Sequence, residues 1–273
     1  MTGADASSDP ANCSPGMNLG AARTAAALAL LPLIFVAAAV RAAPEEIQVY
    51  LDDLTEPGHF GLDVHNNVAI RGSTTSNYAG ARPSQGVYRL TPELYYGLGP
   101  TLELGGYLLT ALDRERSAQV DGEKLRLKYI APHGDTASSF WGVNLEMGRT
   151  DLAVAERPWN YELKGILGRR LGAWALTFNL NVDAALSAHG GPTTLEFDTR
   201  LTHGAGAGTV LGLESYNELG PARHVGALAK HSQMLYAVVD TTFTGVDLSA
   251  GIGRGLTGAS DGWVVKAILG FHF

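Results

Sequence analysis

The chain has 273 residues, of which 8% are aromatic and only 17% charged, with 34 glycines, one cysteine and a formal net charge of -7. An excess of acid over base argues against nucleic acid as a partner, and one cysteine excludes a disulfide framework or a thiolate metal site. A mean hydropathy of +0.03 suits neither a helical membrane protein nor a disordered chain, whereas high glycine fits many short strands joined by turns.

Residues 17–42 (MNLGAARTAAALALLPLIFVAAAVRA) read as a secretion signal. Arg23 precedes an apolar run from Thr24 to Val40, and Val40 and Ala42 suit the -3 and -1 positions of a signal-peptidase site. Cleavage is expected after Ala42, with Ala43 as the near alternative. A membrane-spanning helix is the weaker reading, because the run is short and Pro32 interrupts it. Residues 1–16 carry acids where a basic region is expected and read as a non-native extension from an upstream start codon. Met17 is then the start, and Cys13 is not part of the protein.

Residues 43–60 form an N-terminal segment that alternates briefly at Ile47, Val49 and Leu51 and breaks at Pro57 and Gly58. It is expected as a periplasmic lead-in or tucked into the mouth of the following domain. From residue 61 to 273 apolar and polar residues alternate with a period of two, the pattern of half-buried strands. Leu62, Val64, Val68 and Ile70 oppose Asp63, His65, Asn67 and Arg71, with Asn66 as a polar exception on the apolar side. After a polar loop, Tyr88, Leu90, Pro92, Leu94 and Tyr96 oppose Arg89, Thr91 and Glu93, and Gly97–Pro100 is expected to turn. Leu102, Leu104, Leu108 and Leu112 face away from Glu103, Tyr107 and Leu109. A charged loop is expected over 113–122. Leu125, Leu127 and Tyr129 then oppose Lys124, Arg126 and Lys128.

Strand five sets Trp141, Val143, Leu145 and Met147 against Asn144 and Glu146; strand six sets Trp159, Tyr161, Leu163 and Leu167 against Asn160, Glu162 and Lys164. A turn is expected over Gly168–Gly172. The seventh strand is the clearest, with Trp174, Leu176, Phe178, Leu180 and Val182 against Thr177, Asn179, Asn181 and Asp183. The eighth has Leu195, Phe197 and Leu201 against Glu196, Asp198 and Arg200, with the glycine-rich stretch Gly204–Gly208 read as a turn. The ninth, Leu211 and Leu213 against Glu214 and Tyr216, is the faintest. Leu235, Ala237 and Val239 against Tyr236, Val238 and Asp240 make the tenth, and Leu248, Ala250 and Ile252 against Asp247, Ser249 and Gly251 the eleventh.

The last strand, WVVKAILGFHF, puts Trp263, Val265, Ala267, Leu269, Phe271 and Phe273 on one face and Val264, Lys266, Ile268, Gly270 and His272 on the other. It resembles the terminal strand of bacterial outer-membrane β-barrels, in which a C-terminal aromatic is the signal read by the assembly machinery; that role would fall to Phe273. The expected fold is all-β, a closed antiparallel transmembrane β-barrel of about twelve strands in meander order. An even count puts both ends on one side, and long connections after odd strands with short ones after even strands place both termini in the periplasm. Aromatic residues at strand ends (Tyr88, Tyr96, Tyr129, Trp141, Trp159, Trp174, Trp263 and Phe273) suit interfacial girdles. A soluble barrel or sandwich would turn the apolar face inward, and periodicity alone does not separate the two; the secretion signal, strand length and aromatic ends favour the version facing outer-membrane lipid. The stretches EIQVYLDDLTEPGHFGLDVHNN and YRLTPELYYGLGPTLELGGYL also resemble a group of bacterial outer-membrane proteins labelled after the MetA pathway of phenol degradation. That resemblance implies a barrel and a transporter. It carries over no catalytic residues and does not make phenol the solute.

In such a barrel the inward residues are the functional ones. Arg71, Arg89, Lys124, Arg126 and Lys128 on the early strands face Asp183, Glu196, Asp198, Glu214, Asp240 and Asp247 on the later ones. A basic arc opposite an acidic arc would orient a small polar solute in a narrow pore. The alternative is that Glu103, Glu146 and Arg200 pair across neighbouring strands and plug the interior. No cofactor is expected: Gly253-Arg-Gly255-Leu-Thr-Gly258 matches GxGxxG, but no helix follows it. The eight histidines show no metal-ligand spacing, so His65 and His272 read as lumen or rim groups and no metal site is expected. An outer-membrane phospholipase would need a nucleophile and base; Ser215 and His203 are the pair to test, without any motif around them.

Overall fold

The computed structural model describes residues 46–113, 117–134, 137–186 and 191–273. The signal at 17–42 and the extension at 1–16 lie outside them. The alternation is realised as twelve strands: β1 Phe60–Arg71, β2 Tyr88–Gly99, β3 Leu102–Leu112, β4 Ala118–Ile130, β5 Ser139–Thr150, β6 Trp159–Leu171, β7 Trp174–Ala185, β8 Thr194–Gly206, β9 Thr209–Pro221, β10 Gln233–Phe243, β11 Val246–Gly255 and β12 Trp263–His272. Each pairs antiparallel with the next, and β12 pairs with β1 to close the barrel. At the seam Val64 lies opposite Leu269 and Asn67 opposite Lys266. A reciprocal pair of backbone bonds between Phe60 and Phe273, 2.9 and 3.0 Å, fastens its end.

Side-chain placement is inverted relative to a soluble protein. Leu104, Leu125, Leu145, Leu163, Leu180, Leu213 and Leu235, from seven strands, are exposed, while Glu93, Asn144, Asn179, Glu214 and Lys266 are buried. Leu125 is 65% exposed and Glu214 0%. Water outside would leave this apolar band unburied, so the arrangement is stable only against an apolar medium, with every backbone group paired in a sheet without edges. Strands of 10 to 13 residues run about 33–43 Å at roughly 3.3 Å per residue, and a tilt of about 40° leaves about 25–33 Å along the normal, enough to cross a membrane. Exposed aromatic side chains mark both rims: Trp141, Trp174 and Phe273 at one, Trp159 at the other. Phe60 packs between a tilted Tyr96 ring and a stacked Phe273 ring, with ring centroids 4.6 and 6.4 Å away. The polar exception Asn66 is satisfied where it stands: its amide donates to the Val64 carbonyl at 2.8 Å and its oxygen accepts from the Tyr88 hydroxyl.

Several boundaries differ from the sequence reading, each by a strand that continues through glycine. β2 runs to Gly99, β6 runs to Leu171, and Gly204 to Gly206 remain in β8, so the turns shrink to Pro100–Thr101, Gly172–Ala173 and Ala207–Gly208. At Ala207–Gly208 and Thr244–Gly245 both central residues have positive φ (50 and 72°, 50 and 82°), the backbone that matches the twist of a two-residue hairpin. β4 starts at Ala118, inside the expected loop, because a bulge between Val120 and Gly122 lets the charged stretch pair with β3. The faint ninth strand is as long as any, at 13 residues; its outward Ser215 and Asn217 bond each other at 2.8 Å, which removes the polar cost that made it look weak.

Candidate functional site

Residues 46–56 lie among the inward-facing side chains of the barrel. Thr55 and Glu56 enter at the mouth beside Gly97, where a Cβ on residue 97 would come within 2.3 Å of the Glu56 carbonyl; only glycine lets the two backbones meet. A parallel bridge joins Pro57 to Gly97. At the same mouth Asp52 is held by both Arg170, at 2.6 Å, and His133, at 3.2 Å, and Asp53 by Lys128 at 3.2 Å. The Lys128 ammonium holds the Asp53 carboxyl below the usual carboxylate range.

Tyr50 is the centre of the segment. Its backbone is read by Asn179 as a strand would be, N–H to Oδ1 at 2.7 Å and carbonyl from Nδ2 at 3.1 Å. Its hydroxyl meets those of Tyr107 at 2.6 Å and the carboxylates of Glu146 and Glu46 at 3.1 and 2.9 Å. Burial pushes the Tyr50 hydroxyl well above its ordinary pKa, with Glu146 and Glu46 adding to the effect, so it stays a donor. Its ring packs on Ile130, Phe140 and Ile166 and lies 4.1 Å from the Lys164 ammonium, 5.3 Å from that of Lys128 and 5.6 Å from the Arg126 guanidinium. On the other side of the lumen Ile47 and Val49 pack on Tyr216, Tyr236, Val238 and Val264, and Lys266 donates to the Ile47 carbonyl at 2.9 Å. The segment therefore touches strands from both halves of the ring.

The barrel's own charges are joined locally. Arg126 bridges Glu93 and Glu103, Lys164 meets Glu162 at 3.0 Å, and Arg200 binds Glu214 and Asp240. Glu214 also takes Lys266 and the Tyr216 hydroxyl, the latter at 2.8 Å. Of the residues assigned to two arcs, Arg89, Arg126, Lys128, Asp198 and Glu214 are buried, and Lys124, Asp183, Glu196 and Asp240 half-buried. Arg71 and Asp247 stand exposed at opposite mouths, Asp247 bonded to His272 at 2.9 Å. The arcs do not face each other across open space, since segment 46–56 stands between them and Glu93, Glu103, Lys164, Arg200 and Lys266 interleave the signs. Strand parity placed these five inward; sorting by sign of charge set them aside.

A cavity of about 430 Å³ opens at the mouth that holds Phe60 and Phe273, walled by Tyr50, Asp53, Tyr95, Glu103, Arg126 and Lys128. A second, of about 290 Å³, lies at the far mouth between residues 72–84 and 258–261. The phospholipase pair is not assembled. Ser215 lies opposite Thr199 and Leu235 and bonds Asn217, while His203 lies opposite Trp174 and Leu211 and meets the Trp174 ring edge-on.

No protein-family profile matches the chain, and no curated protein matches it in sequence. Solved structures do match in fold. An outer membrane channel from Pseudomonas putida F1 superimposes with a TM-score of 0.56 at 12% identity, covering 84% of this chain and 100% of its own. The KdgM porin, solved in complex with disordered oligogalacturonate, gives 0.53 at 6% identity, covering 78% and 99%.

Proposed function

We propose that the protein is a channel or transporter of the bacterial outer membrane that passes a small solute, and that residues 46–56 close it. The observation that carries this reading is an acidic segment lodged along the lumen of a closed barrel, its apolar packing supplemented by polar contacts that water or a solute could replace, beside a cavity open at one mouth. The apolar exterior supports a membrane setting, and both similar folds belong to proteins described as a channel and a porin. The signal at 17–42 would deliver the chain to the periplasm, the assembly machinery would read Phe273, and both termini would stay periplasmic. The cavity's mixed lining of aromatic and charged groups suits small polar or aromatic solutes; membership in the group labelled after the MetA pathway belongs to the same reading. A second reading, a barrel plugged for structure alone, draws on the local pairing of lumen charges. Proteoliposome swelling separates them. Uptake of small sugars, amino acids or aromatic acids above that of empty vesicles is expected of a channel, and swelling no faster than in empty vesicles, with or without residues 46–56, would leave only the plug.

A further inference from the structure

We propose that Glu46, His65 and Glu93 form a site for a divalent transition-metal ion that ties the N-terminal segment to the barrel wall. The three residues come from the segment, β1 and β2, and one ligand atom from each lies within 4.8 Å of the others. Their positions form no sequence motif; closure of the barrel and entry of the segment bring them together. Two carboxylates and an imidazole are a donor set for a zinc-like ion, with the fourth position left to water. Tetrahedral bonds of about 2.0–2.2 Å set ligand atoms about 3.4 Å apart, so these donors close on an ion by shifts of about 1 Å, within reach of side-chain rotation.

Two further features point to a ligand. His65 and Glu93 are each only 2% exposed, yet His65 Nδ1 has no hydrogen-bond partner, while Nε2 lies 3.3 Å from Glu93. A buried ring nitrogen without a partner is costly unless something binds it. The surroundings are also rich in carboxylates: those of Glu46, Asp63, Glu93 and Glu103 gather about His65 and Arg126, and Arg126 is already shared between Glu93 and Glu103. Supporting groups hold the donors. The Tyr50 hydroxyl donates to Glu46 at 2.9 Å, and Arg126 takes one oxygen of Glu93, turning the other toward His65.

Binding itself stands on this geometry; its consequence for gating rests on the channel reading. The test uses tag-free, chelator-treated, refolded protein titrated with Zn²⁺ alone and, for its visible absorption, Co²⁺ alone. One ion per chain is expected, with affinity reduced at least tenfold in Glu46→Gln and in His65→Asn. His272→Asn and His231→Asn, which alter histidine–carboxylate pairs that do not touch the segment, should bind as wild type. Heat-dependent migration on gels checks that each barrel is folded; Glu46 lies outside the strands, so its variant decides if His65→Asn does not fold. No binding by wild type, the result if a proton on His65 supplies the missing charge, would overturn the proposal, as would undiminished binding in a folded variant. Because conductance is not the readout, a barrel that binds the ion but passes no solute would refute the channel and leave the site standing, and the reverse result would do the opposite.

Discussion

Asn179 does for Tyr50 what a neighbouring strand would do, satisfying both its N–H and its carbonyl inside the lumen. Asn179→Ala leaves those groups without partners, at about 1–3 kcal/mol, and should make residues 46–56 roughly five- to 150-fold easier for protease to cut while the barrel stays folded. Cleavage at the wild-type rate would show that Asn179 does not hold the segment. Asp53 adds a small pH dependence of known sign. Lys128 lowers its pKa in the folded protein, so the pairing contributes fully above the ordinary carboxylate value of about 4 and is lost only as pH falls through the lower folded value. Its carboxylate is largely exposed, so the contribution is small and weakened by salt. Protease access to the segment should therefore be flat between pH 6 and pH 8 as far as Asp53 is concerned, and rise only in strong acid.

Among the elements, the two-residue turns carry a residue-level mismatch that can be relieved. Thr244 is β-branched yet sits at φ 50°, where asparagine or glycine is at home. Thr244→Asn should stabilise the barrel by about 0.5–1 kcal/mol, read as a higher midpoint in urea; a lower midpoint would mean that the threonine side chain has a role of its own. The strands test the inversion. Leu145, outward and midway along β5, should tolerate Ala, but Leu145→Arg should cost about 2–4 kcal/mol at the bilayer midplane. The strands were legible because period-two alternation is a property of neighbouring residues, and it persisted even at β9 once Ser215 and Asn217 are seen to satisfy each other. Turn positions were less so: glycine marks turns and also lets strands continue, and Gly97, Gly168 and Gly204 are strand residues whose role depends on what packs beside them.

At the scale of the whole molecule, strand parity told which charges point inward, but not their partners. Partnership is set by the register between strands and by a segment that enters from outside the sheet, and neither is written locally. Tyr50, Glu46 and Glu93 come together from stretches that show no common pattern. The account turns on residues 46–56 standing in the path through the barrel. Single-channel conductance in planar bilayers, compared between the wild-type chain and a variant lacking residues 46–56, tests this most directly. Small or brief currents are predicted for the wild type and a larger, steady conductance for the variant; equal conductance in the two would contradict it.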